Sequence, residues 1–102
     1  MASRLELQSE LRQVLGSNNV YYQPPESKKI SYDCIVFKKQ DVWEKHADNS
    51  KYMMYDCYEL TIIYRDPDSP ITKNILNHFV YSNFSRHFTS DNLNHDVIII
   101  YY

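Results

Sequence analysis

A single glycine, Gly16, in a chain of 102 residues leaves no place for a GxGxxG or GxxxxGK[ST] loop, so phosphate-cradling nucleotide sites of those kinds are excluded. Cysteine is nearly as scarce. Cys34 and Cys57 each sit inside an apolar, strand-like segment and show no CxxC spacing, which points to reduced core thiols and away from a disulfide framework or a zinc site. No apolar stretch approaches the length that crosses a bilayer. The opening MASRLELQSELRQVLG carries charges every few residues and has no h-region, so it does not read as a secretory signal. Net charge is only −2, and no basic patch is visible that could drive nucleic-acid binding by counterion release.

What the chain does have is tyrosine, ten residues of it, set against that one glycine. Tyr favours long strands with aromatic cross-strand pairs, and it also suits contact surfaces, where the ring buries while the hydroxyl keeps a partner. Hydrophobic residues make up 43% and charged residues 24%, ordinary values for a folded domain and too apolar for disorder. A chain of this length holds one core, so residues 1–102 are read as a single domain.

Residues 3–15 predict a helix: Ser3 and Glu6 form a capping-box pattern, Leu7, Leu11, Val14 and Leu15 share one face, and Gly16 ends it. Val20-Tyr21-Tyr22 reads as an edge strand stopped by Pro24-Pro25. Ile30 to Lys38 reads as a central strand, with Ile30, Tyr32, Cys34 and Val36 on one face and Ile35 and Phe37 making its second half apolar on both. Gln40 to Lys51 shows no period and carries Asp48-Asn49-Ser50 turn chemistry, so it is expected to be a long connecting loop. Tyr52 to Arg65 alternates strongly and should pair with Ile30 to Lys38.

Asp66-Pro67-Asp68-Ser69-Pro70 then stops the sheet and starts a second helix. Asp68 or Ser69 caps it, Ile71, Ile75, Leu76 and Phe79 form its buried stripe, and it ends near Phe79. Ser85 to Thr89 is a strand, Ser90 to Asn94 a turn, and Asp96 to Tyr102 a last strand buried on both faces. The expected class is α+β, in the order α-β-β-β-α-β-β, with a mainly antiparallel sheet of about five strands packed by two helices.

Several clusters invite chemistry. His87, Asp91, His95 and Asp96 lie around one turn and would suit a metal or a general base, yet the polar run from Ser90 to Asp96 is also what a side-chain-capped turn requires. Asp66 and Asp68 form an acidic pair that a helix start explains equally. His78 near a helix C-terminus fits carbonyl capping or the dipole. Serines occupy cap and turn positions, and neither cysteine has a basic neighbour, so nucleophilic catalysis has no support. No catalytic, cofactor-binding or metal-ligating residue is assigned, and the chain is read as a non-enzyme. The stretch around Trp43, His46, Asp48 and Asn49 is the candidate assembly contact, because it exceeds the length pairing needs and holds the sole Trp.

The runs Tyr22-Gln23-Pro24-Pro25-Glu26-Ser27, Tyr32-Asp33-Cys34-Ile35-Val36-Phe37, Ala47-Asp48-Asn49, Arg65-Asp66-Pro67-Asp68-Ser69 and Arg86 through Asp96 together resemble small tailed-bacteriophage proteins encoded among head-tail joining and tail genes. The chain is similar, over nearly its whole length, to the tail terminator or tail completion family. That resemblance implies a structural virion protein at the head-tail junction, assembled in the host cytoplasm, that forms a ring, as a homohexamer, on the head-proximal end of the tail tube. Its implied partners are further copies of itself, the tail tube protein and a neck, stopper or connector protein, with phage DNA passing through the ring without sequence-specific contacts and with no membrane. A head-completion or stopper protein shares this element order. Two other classes compete: a single-strand nucleic-acid binder that stacks bases on Tyr, which lacks a basic groove, and a small metal-dependent hydrolase centred on His87, Asp91 and His95.

Overall fold

The structure is a computed structural model that describes residues 4–25, 29–47 and 50–102, with residues 41–47 and 50–55 described by backbone alone. Seven elements follow in the expected order: α1 (Arg4–Leu15), β1 (Val20–Tyr22), β2 (Cys34–Ala47), β3 (Ser50–Tyr64), α2 (Ile71–His78), β4 (Ser82–Ser90) and β5 (Leu93–Tyr101). The strands form one sheet in the order β1-β2-β3-β5-β4. Only β1 and β2 are parallel; the other pairs are antiparallel, giving a mostly antiparallel α+β fold.

Helix α1 ends where its sequence runs out of alternatives to a left-handed residue. Gly16 has φ +81°, and its N–H bonds the Arg12 carbonyl at 2.9 Å. The Ser3 cap lies outside the described residues. Leu7 and Leu11 of α1 and Ile75 of α2 are fully buried against Ile35, Phe37, Leu60, Ile62, Ile98 and Ile100, so both helices cover one face of the sheet. Register explains the choice of residues, because Ile35 opposes Ile62, Phe37 opposes Leu60, and Leu60 opposes Ile98. Tilted contacts from Phe37 to Tyr22 and Tyr58, at 4.9 and 6.0 Å between centroids, extend the core as an aromatic row.

The first half of β2 departs from expectation. The ladder begins at Cys34, not at Ile30, because Asp33 is occupied otherwise: its carboxylate accepts from the Arg65 N–H at 3.0 Å and its carbonyl from Asn19 Nδ2 at 3.3 Å. The helix-covered face then takes Ile35 and Phe37, while Cys34 and Val36 lie on the opposite one. Cys34 and Val97 are nonetheless buried there, so the central strands are apolar on both faces. Beyond Tyr64, the Asp66 carboxylate accepts from the Asp68 N–H at 2.9 Å and Ser69 Oγ from the Ile71 N–H at 3.4 Å, with Pro70 at the helix boundary. The polar turn contracts to two residues, Asp91 and Asn92, with φ +53° and +64°, the geometry a tight hairpin demands and the one Asp and Asn tolerate best.

The largest correction concerns Gln40 to Lys51. This stretch is not a connecting loop, since β2 continues to Ala47 and β3 begins at Ser50, in a ladder that runs from Cys34 opposite Ile63 to Ala47 opposite Ser50. Strand β1 pairs only as far as Phe37, and β5 reaches β3 only from Cys57 onward. The remainder is therefore a two-stranded ribbon that leaves the body of the sheet. No third strand pairs with this stretch among the described residues, so backbone pairing rather than an apolar period defines it. The radius of gyration of 14.4 Å exceeds the roughly 13 Å of a compact domain this long, and the molecule measures 48 × 26 × 23 Å.

Cys34 and Cys57 are both buried free thiols. Burial, with Asp33 nearby, pushes the Cys34 thiol up to about 11, so almost no thiolate is present at neutral pH. Alkylation at pH 7.5 followed by mass spectrometry is expected to leave both unlabelled in the native protein and to label both in denaturant. Rapid native labelling of both would contradict their burial.

Candidate functional site

Two parts of the molecule stand out chemically: a buried carboxylate at the β5 end of the sheet and the ribbon at the other. Asp96 sits only 5% exposed in a strand whose next residues, Val97 and Ile98, are apolar and buried. A lone carboxylate there must be saturated with donors or be strongly unfavourable. It receives Thr72 Oγ1 at 2.6 Å, Tyr64 Oη at 2.8 Å and His87 Nδ1 at 2.5 Å. Those three donors come from α2, β3 and β4, so one side chain of β5 ties together the elements around it.

Burial alone would raise the carboxyl pKa of Asp96, but the hydrogen bonds from Thr72, His87 and Tyr64 outweigh it and hold the group below the ordinary aspartate range. Burial and the bond to Asp96 push the Tyr64 phenol up to about 12, so it stays a donor at every physiological pH. With the carboxylate ionised, His87 Nδ1 carries the proton in this contact.

The structure does not bring together the residues on which the hydrolase alternative was centred. His87 opposes Asp96 in the β4–β5 ladder, whereas His95 opposes Phe88 on the other face and stacks on its ring at 4.7 Å and 14°. Asp91 sits in the tight turn. The sheet thus separates His87, Asp91 and His95, and among the described residues no group of three metal-binding side chains converges. Thr72, the hydroxyl nearest the His87–Asp96 pair, already donates to Asp96. His78 makes a different contact from the capping expected of it: Nε2 lies 3.2 Å from Glu10 Oε1, joining α2 to α1. Glu10 also accepts from the Tyr102 hydroxyl, so the last residue is held against the first helix.

The ribbon holds the proposed contact residues. Trp43 lies in β2 opposite Tyr55, and His46 lies opposite Lys51; Asp48 and Asn49 fall outside the described residues. At its root, Lys39 pairs with Asp56 at 3.4 Å, and Gln40 bonds Glu59 at 2.6 Å and Cys57 at 3.5 Å. These contacts fix the angle at which the ribbon leaves the body. The groove beside it, lined by Gln23, Pro24, Val36, Lys38, Glu59 and Thr61, is open and encloses nothing.

Sequence reasoning placed Asp96 at the start of the last strand and grouped it with His87, but offered capped-turn chemistry as its structural role and missed its partners Tyr64 and Thr72. The available signal was an acid directly preceding four apolar residues, Val97 to Ile100, in a strand expected to be buried. No protein-family profile matches this sequence, and a search of curated proteins finds no significant match.

Replacing Asp96 with Ala strands the Tyr64, Thr72 and His87 donors, at an expected cost of about 3 kcal/mol measured by urea unfolding. The pH dependence has a definite sign. A carboxyl whose pKa is lower folded than unfolded contributes stability at pH above its unfolded value and loses it as pH falls through the folded value. Wild-type protein should therefore lose stability more steeply than Asp96→Asn as pH falls below about 4, as followed by denaturant midpoints. Equal slopes would show that Asp96 is not the responsible group.

Proposed function

We propose that this chain is a structural protein of a tailed-phage virion, forming a ring at the head-proximal end of the tail tube that ends tube polymerisation and joins tail to head. The observation that carries the reading is the ribbon formed by the distal parts of β2 and β3. An isolated two-stranded ribbon is marginal in water, and a protein that keeps one beyond its core has a use for it as a contact arm. The resemblance in the runs 22–27, 32–37, 65–69 and 86–96 supplies the kind of assembly.

A ring subunit must meet two neighbours as well as the tube and the neck, so a large share of a small surface has to be adhesive. Exposed Tyr32, Tyr81, Phe84 and Phe88 suit that demand, as does the Trp43–Tyr55 pair of register positions on the arm. DNA passing through such a ring would meet a subunit of slightly negative net charge, which favours free passage over retention.

Native mass spectrometry and negative-stain imaging of the protein, alone and with tube protein, should show closed rings, most simply of six subunits. Monomers alone under both conditions would overturn the proposal. Trp43→Ala should leave far-UV spectra and the melting temperature unchanged while weakening ring formation or tail joining by about 2 kcal/mol. A clear drop in melting temperature would instead place Trp43 in the packing of the domain.

A further inference from the structure

Strand β4 is the last strand of the sheet, nine residues long, and among the described residues nothing pairs with its outer edge. Its defences are few. It contains no proline, no lysine and no acid, and a single irregularity between Phe84 and Arg86 is the only device that bends it. Phe84 and Phe88 are about half and two-fifths exposed on it, and Val80 just before it is almost fully exposed. Such an edge is a template for another strand.

The same molecule has a second open edge. Strand β1 pairs with β2 only as far as Phe37, so among the described residues no strand pairs with β2 from about Gln40 to Ala47 on the side away from β3. In the strand order β1-β2-β3-β5-β4, this edge and that of β4 face opposite directions. One molecule cannot join them. Two copies can, and each added copy leaves the same pair of edges open, so the sheet continues head to tail until it closes.

Charge favours this occupant over a symmetric β4–β4 pair. A full-length antiparallel pairing of two β4 strands sets Arg86 opposite Arg86 of the other copy. The open stretch of β2 carries Asp41 and Glu44 against one lysine, Lys45, with His46, and so is acidic by one charge, whereas β4 carries Arg86 and His87 with no acid. Arg86 is also presented for contact, its guanidinium lying 6.0 Å from the centre of the Phe88 ring.

We propose that the edge of β4 is the acceptor for the β2 edge of the ribbon from a neighbouring copy of this chain, with Arg86 meeting the Asp41–Glu44 stretch. The inference rests on the ring reading above and specifies which two surfaces close the ring. Charge exchange tests it. Arg86→Glu alone, and Asp41→Lys combined with Glu44→Lys, should each reduce ring formation at least tenfold, read by native mass spectrometry over a concentration series, with circular dichroism and melting temperature unchanged.

A one-to-one mixture of the two variant proteins should recover rings in which they alternate, since each joint then opposes unlike charges. The chain carrying all three changes should recover rings by itself. Rings formed equally well by each variant and by wild type would overturn the β4–ribbon contact and leave the ring reading intact. Symmetric dimers insensitive to the β2 changes would overturn it in favour of β4–β4 pairing. Monomers of wild type under every condition, with or without tube protein, would overturn both. If the Arg86→Glu chain melts lower, Arg86→Gln and the unmixed β2 variant carry the test, and unimpaired rings from both refute the contact.

Discussion

A ladder of fourteen and fifteen residues whose neighbours are three and nine residues long cannot be covered along its whole length, and most of what is unusual about this protein follows from that mismatch. Where β1 and β5 flank the ladder, β2 and β3 are central strands and bury Ile35, Phe37, Leu60 and Ile62 beneath two helices. Where the flanks stop, the same two strands continue as a two-stranded ribbon among the described residues. The register shift between Lys39 and Val42 lies at the border, and bulges of this kind commonly mark places where a strand bends or its pairing ends.

The body has to be firm enough to hold such an arm at a fixed angle, and a single buried carboxylate is a large part of how the far side of the sheet achieves it. Short helix α2 spans eight residues; Ile75 is fully buried, Ile71 and Leu76 pack partly against the core, and Phe79 at its end is buried. The Thr72–Asp96 bond adds a polar fastening to the sheet, and the His87–Asp96 bond does the same for edge strand β4, whose residues are nearly all exposed. On the other helix, Glu10 takes His78 and Tyr102, so α1, α2 and the C-terminal residue are tied at one point. Polar contacts here compensate for a small hydrophobic core, as expected of a domain near the lower end of independent stability.

Legibility in the sequence followed burial. Helix α1, the two-sided β5, the edge position of β1 and the element order were all readable, because a residue that faces a core must be apolar and its spacing then reveals the element. The ribbon was not readable for the complementary reason. Val42, Trp43, Met53 and Met54 are scattered among charged residues without alternation, so the pairing of this stretch is not readable from the sequence pattern. Asp96 was legible as the start of a buried strand but its partners were not, since only the three-dimensional register brings Tyr64 and Thr72, 32 and 24 residues away, to it. The break in the sheet at Asp66 to Pro70 was legible, but the side-chain cap expected of Asp68 or Ser69 does not form: Pro70 holds the cap position, and Asp66 and Ser69 accept from N–H groups two residues on, in local turns.

An arm that is marginal alone and an edge that is open alone have a thermodynamic consequence when each is the other's complement. Ordering a two-stranded ribbon costs conformational entropy that its own ladder barely offsets, so the proposed contact between copies would stabilise it. In the proposed ring, association would then couple to local order. The composition suits this behaviour. Tyrosine offers contact area with little side-chain entropy to lose, and a single glycine leaves few points at which the body can yield when the arm engages. The body that carries both edges is braced by the hydrogen bonds that Asp96 and Glu10 accept from neighbouring elements.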